Sequence, residues 1–403
     1  MADINEAERK LIDELRAEVR SELTEKYDTD YNLLRWARGC GYDKALTLTK
    51  LKTHLKLRKF MDLDNIRTKE DLLVDSISPV HSPTSFLETN APDDNKLVMF
   101  EFPGRCDING MMQAIQYTPF MMVRYRLMEE IVDRMNQLER QSGRMSGVVF
   151  IFDMKGIEFD PSLLSVVTGP FRIAWGTLME QYPEWIHRML IINVPTFMSI
   201  LWKAFSPFVP DNTKTKIVLM SDNWRKDILQ YVHADHLPVR FGGNMRDENG
   251  DEWCRSKIAV PPEGKIPREI YWKQLPGQPT TESLTPLSIS AGSKSFIVYD
   301  ILEENTSIEF FMFSEHDHTF CIYLLPDAQI KNVSKQNEVF VEIERPGMTT
   351  IDHFTHKCLQ PGVYVIKFGN EKAWFMSVVV KYQLRFFNVQ GQPISPKLMS
   401  AKS

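Results

Sequence analysis

Long apolar runs are missing from this 403-residue sequence. The uncharged run from Met189 to Trp202 is closed by Arg188 and Lys203 and contains Asn193 and Pro195. It falls short of the roughly 20 apolar residues that a bilayer-spanning helix needs. The opening MADINEAERKLIDELRAEVR is charged from Asp3 onward, so it lacks the apolar region of a secretory signal. Cysteine is sparse. Cys40, Cys106, Cys254, Cys321 and Cys358 form no CxxC pair and leave an odd one out, which fits reduced thiols in an intracellular compartment. An excess of positive charge is also absent. The net charge of -5 argues against nucleic acid as the main partner, because a polyanion demands a basic surface.

Catalytic signatures are missing too. There is no GxSxG elbow, no GxxxxGK(S/T) phosphate loop and no GxGxxG. His233 and His236 in HADH, and His316 and His318 in HDH, have neither cysteine nor a third histidine nearby. Both pairs read as loop or surface histidines rather than metal ligands. DENGDE (247–252) is acidic but lacks the alternating aspartates and distal glutamate of an EF-hand loop, and its Asn249-Gly250 step suits a hairpin turn. The expectation is a non-enzymatic protein with no catalytic residue, metal or cofactor.

What is present falls into consecutive pieces, as the length requires of a chain too long for one core. Residues 1–75 read as a helical module. Ala7, Leu11, Leu15, Val19 and Leu23 make one stripe of a helix over 4–26. Asp30 caps a second helix that stops at Gly39-Cys40-Gly41, and a third runs from Asp43 to Arg58-Lys59-Phe60. Over 76–260, LVMFEF (97–102), GVVFIFD (147–153), MLIINV (189–194) and IVLM (217–220) are short apolar runs of the kind found in strands buried on both faces. Helical stretches at 118–139, opened by Thr118-Pro119, and at 161–181, opened by Pro161, separate them. Strand and helix in alternation predict an α/β domain with a largely parallel sheet. Proline and glycine crowd 261–288, and 261–282 reads as a linker. From 283 to 388 helical periodicity disappears. SFIVYDI (295–301), SIEFFMF (307–313), TFCIYLL (319–325), EVFVEIE (338–344), GVYVIKF (362–368) and WFMSVVVKYQLRFF (374–387) predict an all-β sandwich. Residues 389–403 read as a flexible tail. No internal repeat is present.

One stretch is unusually apolar for its position. PTFMSILWKAFSPFV (195–209) carries a single charge, Lys203. A helix over 196–206 places Phe197, Ile200, Leu201 and Phe205 on one face, with Met198 and Trp202 on an adjacent strip. Pro207 and Pro210 end it. Such a helix is either core or a lid hinged at its prolines, covering a greasy ligand when closed.

YPEWIHRMLIINVPTFMSILWKAFSPFVPDNTKTKIVLMSDNWRKDILQYVHADHLPVRFGGN (182–244) resembles the core of the CRAL-TRIO, or Sec-fourteen-like, lipid-transfer fold. YPE, the strand before the helix, the PFV turn, the TKI strand start and LPVRFGG stand in family order. DTDYNLLRWARGCGYDKALTLTKLKTHLKLRKFMDLDNI (28–66) is similar to the family's N-terminal helical module. Residues 283–387 look like a GOLD domain, closed by PGVYVIKFGNEKAWFMSVVVKYQL. The three pieces in this order resemble the supernatant protein factor, or tocopherol-associated, branch of the family.

The resemblance implies a non-enzymatic carrier that holds one hydrophobic lipid behind a gating helix (Phe197, Ile200, Leu201, Trp202, Phe205) and docks transiently on a membrane. Phosphatidylinositol-binding members use a basic pair, a glutamate and a late lysine, matched here by Arg58 and Lys59, Glu184, and Lys216. Arginine offers a planar donor fork to a phosphate and lysine a compact charge. Singly, these four also read as surface or helix-end charges. The implied pocket wall is Phe150, Phe152, Leu163, Leu164, Val167, Phe171, Ile173, Met189, Ile191, Phe197, Leu201 and Phe205. Tocopherol, squalene or a retinoid is the alternative cargo, and a lipid-sensing adaptor with a protein partner on its GOLD domain the alternative role. The implied location is cytoplasmic, with transient association at Golgi or endosomal membranes. Trp202 suits a membrane interface or a packed core equally.

Overall fold

The structure is a computed structural model, and it describes residues 4–69, 75–87, 94–159, 161–326 and 333–402. The helical module holds α1 (Glu6–Val19), α2 (Asp30–Gly39) and α3 (Lys44–Met61). Asn5 opens α1 with a reciprocal cap. Its side chain accepts from the Glu8 amide at 2.9 Å while Glu8 accepts from the Asn5 amide at 3.2 Å, which satisfies two amides the helix start would otherwise leave bare. The expected helix over 4–26 is shorter. It ends at Val19 because the chain turns back there, so that Arg16 meets Asp28 and Asp30, each at 2.7 Å. Asp43, the expected start of the third helix, is the cap of α3 and accepts from Leu46 N; α2 is capped by Thr29, which accepts from Asn32 N, and not by Asp30 as expected.

Next come the short α4 (Ser78–His81), the edge strand β1 (Ser85–Leu87), β2 (Lys96–Glu101), α5 (Ile108–Ala114), α6 (Tyr117–Ser142), β3 (Gly147–Asp153), α7 (Pro161–Val166), α8 (Arg172–Gln181), β4 (Ile186–Ile192), α9 (Met198–Phe205) and β5 (Ile217–Leu219). The sheet has the order β1-β2-β3-β4-β5. Its strands run parallel from β2 to β5, and β1 lies antiparallel on β2. Alternation along each strand splits the apolar runs between two cores. Phe100, Val149, Ile151, Leu190 and Ile192 meet Trp224 and Phe241 on one face. Met99, Phe150, Met189 and Ile191 face α6 and α8 on the other.

The expected single helix over 161–181 is broken. A π-type turn, Val167–Phe171, separates α7 from α8, with Gly169 at φ -107, ψ -105 and Pro170 within it. Proline has no amide to give the helix and its ring clashes with the preceding turn.

The C-terminal part packs two antiparallel sheets. Its strands are β6 (Thr285–Ile289), β7 (Lys294–Ile301), β8 (Thr306–Phe313), β9 (His318–Leu325), β10 (Glu338–Arg345), β11 (Asp352–Cys358), β12 (Gly362–Gly369), β13 (Val378–Phe387), β14 (Pro393–Ile394) and β15 (Lys397–Lys402). One sheet has the order β10-β9-β12-β7-β15; the other runs β11-β8-β13-β14, with β6 also on β13. Between them lies an aromatic core in which Phe310 stacks on Phe354 at 4.7 Å and meets Phe320 edge-on at 5.4 Å. Two expectations are corrected. The tail over 389–402 is not loose, because β15 pairs with β7 and β14 with β13, so the last strand covers an edge that would otherwise expose bare backbone; residue 403 lies outside the described residues. Trp374, Phe375, Met376 and Ser377 do not extend β13, which starts at Val378.

The sandwich is joined to the α/β domain by specific contacts. The α6 helix has no side-chain cap of its own. Instead Asp352, on β11, accepts from Thr118 N at 2.8 Å and Thr118 Oγ1 at 2.7 Å. A carboxylate at a helix start satisfies free amides and favours the helix dipole, so the cap sought at Thr118 comes from a distant strand. Arg345 pairs with the same Asp352. Thr350 and Thr349 donate to the carbonyls of Ile115 and Met112, and the 261–282 linker is tied down where Asp107 accepts from Ile266 N at 2.9 Å.

Two buried histidines make the sandwich acid-sensitive. Burial pushes His318 and His356 down from the ordinary 6.5 to about 4. Both are neutral when folded, whereas the unfolded chain takes up protons near 6.5. Their contribution is fully present above about 6.5 and is lost as pH falls from there toward 4. We expect the urea midpoint of the sandwich to fall between pH 7 and pH 5, and His356→Phe to flatten part of that slope. A variant with the parent slope would count against this account.

Candidate lipid cavity and polar cleft

Between β2–β4 and the helices α6, α8 and α9 lies a cavity of about 250 Å³, lined almost wholly by apolar side chains. Its floor is the sheet face bearing Met99, Phe152, Met189 and Ile191. Its walls include Met128 and Ile131 of α6, and Val167, Phe171 and Trp175 from the break and α8. Its cover is α9. On that cover Met198, Leu201, Trp202 and Phe205 point inward, the i, i+3, i+4, i+7 stripe of one helix face. The Phe205 ring lies 5.3 Å from Phe171.

Of the expected wall residues, Phe152, Leu163, Val167, Phe171, Met189, Ile191, Leu201 and Phe205 line the cavity. Phe150, Leu164, Ile173 and Phe197 do not. Phe150 points to the same side as Phe152, but Trp175 stacks over it at 5.8 Å and 16°, so the indole forms the wall. Of the adjacent pair in α7, Leu163 faces the cavity and Leu164 does not. Phe197 caps α9 and packs on Phe159 at 5.3 Å. Ile200 points away and is 47% exposed. Leu201 and Phe205 of the expected stripe face inward, but Met198 and Trp202 stand where Phe197 and Ile200 were expected, because Phe197 precedes the helical backbone. Met348, from the sandwich, also lines the cavity, and no local sequence pattern marks it.

The cavity has one polar end that sequence reasoning missed. Ser82, Glu101, Cys106 and Arg124 lie on its lining. Arg124 binds Glu101 at 3.0 Å, and Thr84 donates to the same carboxylate at 2.6 Å. Burial pushes the Cys106 thiol up to about 11, so it stays protonated. These groups come from three separate segments, and only FEFPGRC places two of them close in sequence.

A second depression, a polar cleft of about 550 Å³, shares Met179, Trp185 and Thr213 with the cavity wall. Glu184 and Lys216 meet here. Lys216 Nζ lies 2.8 Å from Glu184 Oε2, and Asn212 donates to Glu184 Oε1 at 2.8 Å. Glu184 takes a left-handed backbone, φ 59, rare for a residue with a side chain. Pro183 before it packs on the end of α2, where a Cβ on Gly39 would stand 2.7 Å from Pro183 Cβ. Gly39, expected as a helix stop, is thus also required by this close approach. The sandwich supplies the opposite wall with Thr319, Glu342, Glu344 and Lys372.

The four proposed headgroup residues do not form one group. Arg58 is buried against Glu129, at 2.7 Å, and also binds Asp64; its guanidinium lies 4.1 Å over the Tyr27 ring. Burial opposes its charge, but Glu129 outweighs that and holds its pKa above the ordinary value. Tyr182 donates to the same Glu129 at 2.8 Å. Lys59, the next residue, is exposed on the far side of the helix turn. Neither lines the cleft.

Comparisons with known proteins find three family models along the chain. A CRAL/TRIO domain model matches residues 96–243. A model described as F28H7_8_C-like, C-terminal domain matches 270–395, and a domain of unknown function, DUF8435, matches 4–66. The chain is 32% identical over 378 residues to "CRAL-TRIO domain-containing protein F28H7.8" of Caenorhabditis elegans, covering 93% of this chain and 89% of that protein. It is 24% identical over 281 residues to "SEC14 cytosolic factor" of Candida glabrata, covering 67% and 91%. The solved structure of Sfh5 superposes with a TM-score of 0.50 at 17% identity, covering 64% of this chain and 93% of that one, a likeness of fold.

Arg58→Ala should cost roughly 3–5 kcal/mol in urea unfolding without added lipid, because it strands Glu129 in the interior. Lys59→Ala should stay within about 0.5 kcal/mol of the parent. Equal stability of the two variants would overturn the structural role of Arg58.

The cavity, its covering helix and the matched sequence together place the chain in the CRAL-TRIO family of lipid-binding and lipid-transfer proteins.

Proposed function

We propose that the protein carries one phospholipid, phosphatidylinositol by preference, between membranes without chemical change to it. The observation that carries this reading is the junction of an apolar cavity with a polar cleft across Met179, Trp185 and Thr213. A phospholipid needs both environments within a few ångströms. Its acyl chains gain roughly 0.8 kcal/mol for each CH₂ removed from water, which holds the cargo inside until a membrane offers the same environment. Lys216 supplies charge for a phosphate, and Glu184 accepts from inositol hydroxyls. The Lys216–Glu184 pair keeps both groups compensated in the empty protein.

The α9 helix serves as the gate. Its inward stripe seals the cavity, while Pro195 before it and Pro207 and Pro210 after it supply the hinges. We read the sandwich as a GOLD domain that completes the cavity through Met348. The working location is cytoplasmic, with transient residence on a membrane surface.

A second reading has its own observation. Arg124, Glu101 and Ser82 on the cavity lining would hydrogen-bond a hydroxyl or carbonyl carried inward at the tip of an isoprenoid, so tocopherol or a retinoid is the alternative cargo.

Transfer of labelled phosphatidylinositol between vesicles tests the first reading. Glu184→Ala and Lys216→Ala should each lower it about tenfold, the loss of one charge-assisted hydrogen bond of about 1.5 kcal/mol or more. Leu201→Asp should abolish lipid retention while Ile200→Asp leaves the purified protein's bound lipid unchanged. Undiminished transfer in both charge variants would remove the headgroup assignment, and extraction of a tocopherol or retinoid would favour the second reading.

A further inference from the structure

The two most exposed large apolar side chains of the described residues are not on α9. They are Phe375, 94% exposed, and Trp374, 86%, and the next residue, Met376, is 63% exposed. They form the tip of the connection between β12 and β13, at the end of the sandwich where Gly369 pairs with Lys294. Single exposed apolar residues are ordinary, but a contiguous group left in water marks a contact surface.

The tip is built rather than loose. The Asn370 side chain, itself buried, donates to Met376 O at 2.8 Å and to Ile289 O at 3.2 Å, and Asn370 N donates to Ser293 O at 2.8 Å. These bonds fix both ends of the loop to the neighbouring turn and hold the three side chains outward. At this exposure the Trp374 and Phe375 side chains stand out from the surface rather than line a groove. A protein partner would have to supply the groove, whereas a bilayer admits a protruding wedge without one. An indole beside a phenyl ring is the composition that settles at the water–lipid boundary. At the base of the tip Lys294 is exposed, where anionic lipid headgroups would lie, while Lys372 pairs with Glu344 and Glu371 with Lys367.

The tip is also linked to the gate. Lys372 donates to Glu344 at 2.7 Å, and Glu344 accepts from Arg172 at 2.9 Å. Arg172 in turn lies 4.9 Å over the ring of Phe208, in the turn that ends the gate, where Phe208 is 48% exposed. Lys372 and Phe208 are on facing walls of one cleft.

We propose that Trp374, Phe375 and Met376 insert into a lipid bilayer, making the sandwich a second membrane anchor that docks the protein independently of the gate helix and brings the cleft to the bilayer surface. This surface goes beyond the carriage of lipid proposed above, and it can exist whatever the cargo.

The test is co-sedimentation of the full chain with vesicles of phosphatidylcholine and phosphatidylserine, comparing the parent with the double variant Trp374→Ser, Phe375→Ser. Neither side chain is packed, so the variant should keep the parent's unfolding midpoint. Its vesicle affinity should fall about tenfold or more, given the apolar surface removed. Brominated phosphatidylcholine should quench part of the parent's tryptophan emission, and that part should vanish in Trp374→Phe, which still binds. Equal affinity of parent and double variant, within about a factor of two, overturns the proposal. So does unchanged vesicle binding with loss of a protein partner, which would make the tip a protein contact. Bound lipid is extracted from the same preparations. A parent that binds vesicles through its tip but carries no lipid would refute the carrier reading and leave this one standing.

Discussion

An apolar cavity inside a folded chain must be held open, because side chains and helices otherwise close on it until the interior reaches crystal-like density. Every major element here bears on that constraint. The parallel sheet is stiffened by a full core behind it, around Trp224 and Phe241, so its other face can serve as a floor. Phe150, Trp175 and Trp185 stack in series, with Trp175 and Trp185 at 6.4 Å, and prop α8 away from that floor. The break at Gly169-Pro170 lets the helix change direction over the opening instead of lying flat across it.

The same constraint explains the buried charges. Arg58 and Glu129 join α3 to α6, and Tyr182 joins both to the start of β4. Arg35 and Glu139 make a second buried pair between α2 and α6. Buried ion pairs contribute little net stability over apolar replacements, but losing one partner leaves the other charge stranded, so each helix is held where its partner is. For a helix that forms one wall of a cavity, position matters more than net stabilisation. The sandwich adds a third constraint, because Asp352 holds the start of α6 and Met348 fills the gap beside it.

Arg172 belongs to both halves of the molecule. It opens α8 directly after the break, binds Asp317 and Glu344 of the sandwich at 2.8 Å and 2.9 Å, and covers Phe208 beyond α9. The turn after α9 therefore rests on a cation that the sandwich also holds. This arrangement ties the β-domain to the end of the helix that covers the cavity, and it gives the sandwich a physical role besides that of a separate module.

Sequence alone determined what rests on local chemistry and period. Short apolar runs set between helical patterns specified the α/β domain, turn-separated alternation specified the sandwich, and residues such as Asn5 and Asp43 specified their own helix starts. The motif YPEW and the K-T-K turn marked Glu184 and Lys216, which the fold does bring together. Tertiary structure decided what depends on partners distant in the chain. Arg58 matched a motif but became a core cation because Glu129, 71 positions on, lies against it. The cap of α6 comes from β11, and the final residues form strands because β7 offers them a free edge. WFMS reads as strand by composition, yet it is a tip because Asn370 turns the chain before β13 begins. Periodicity fixes which residues share a face; only packing decides which face meets lipid, core or water.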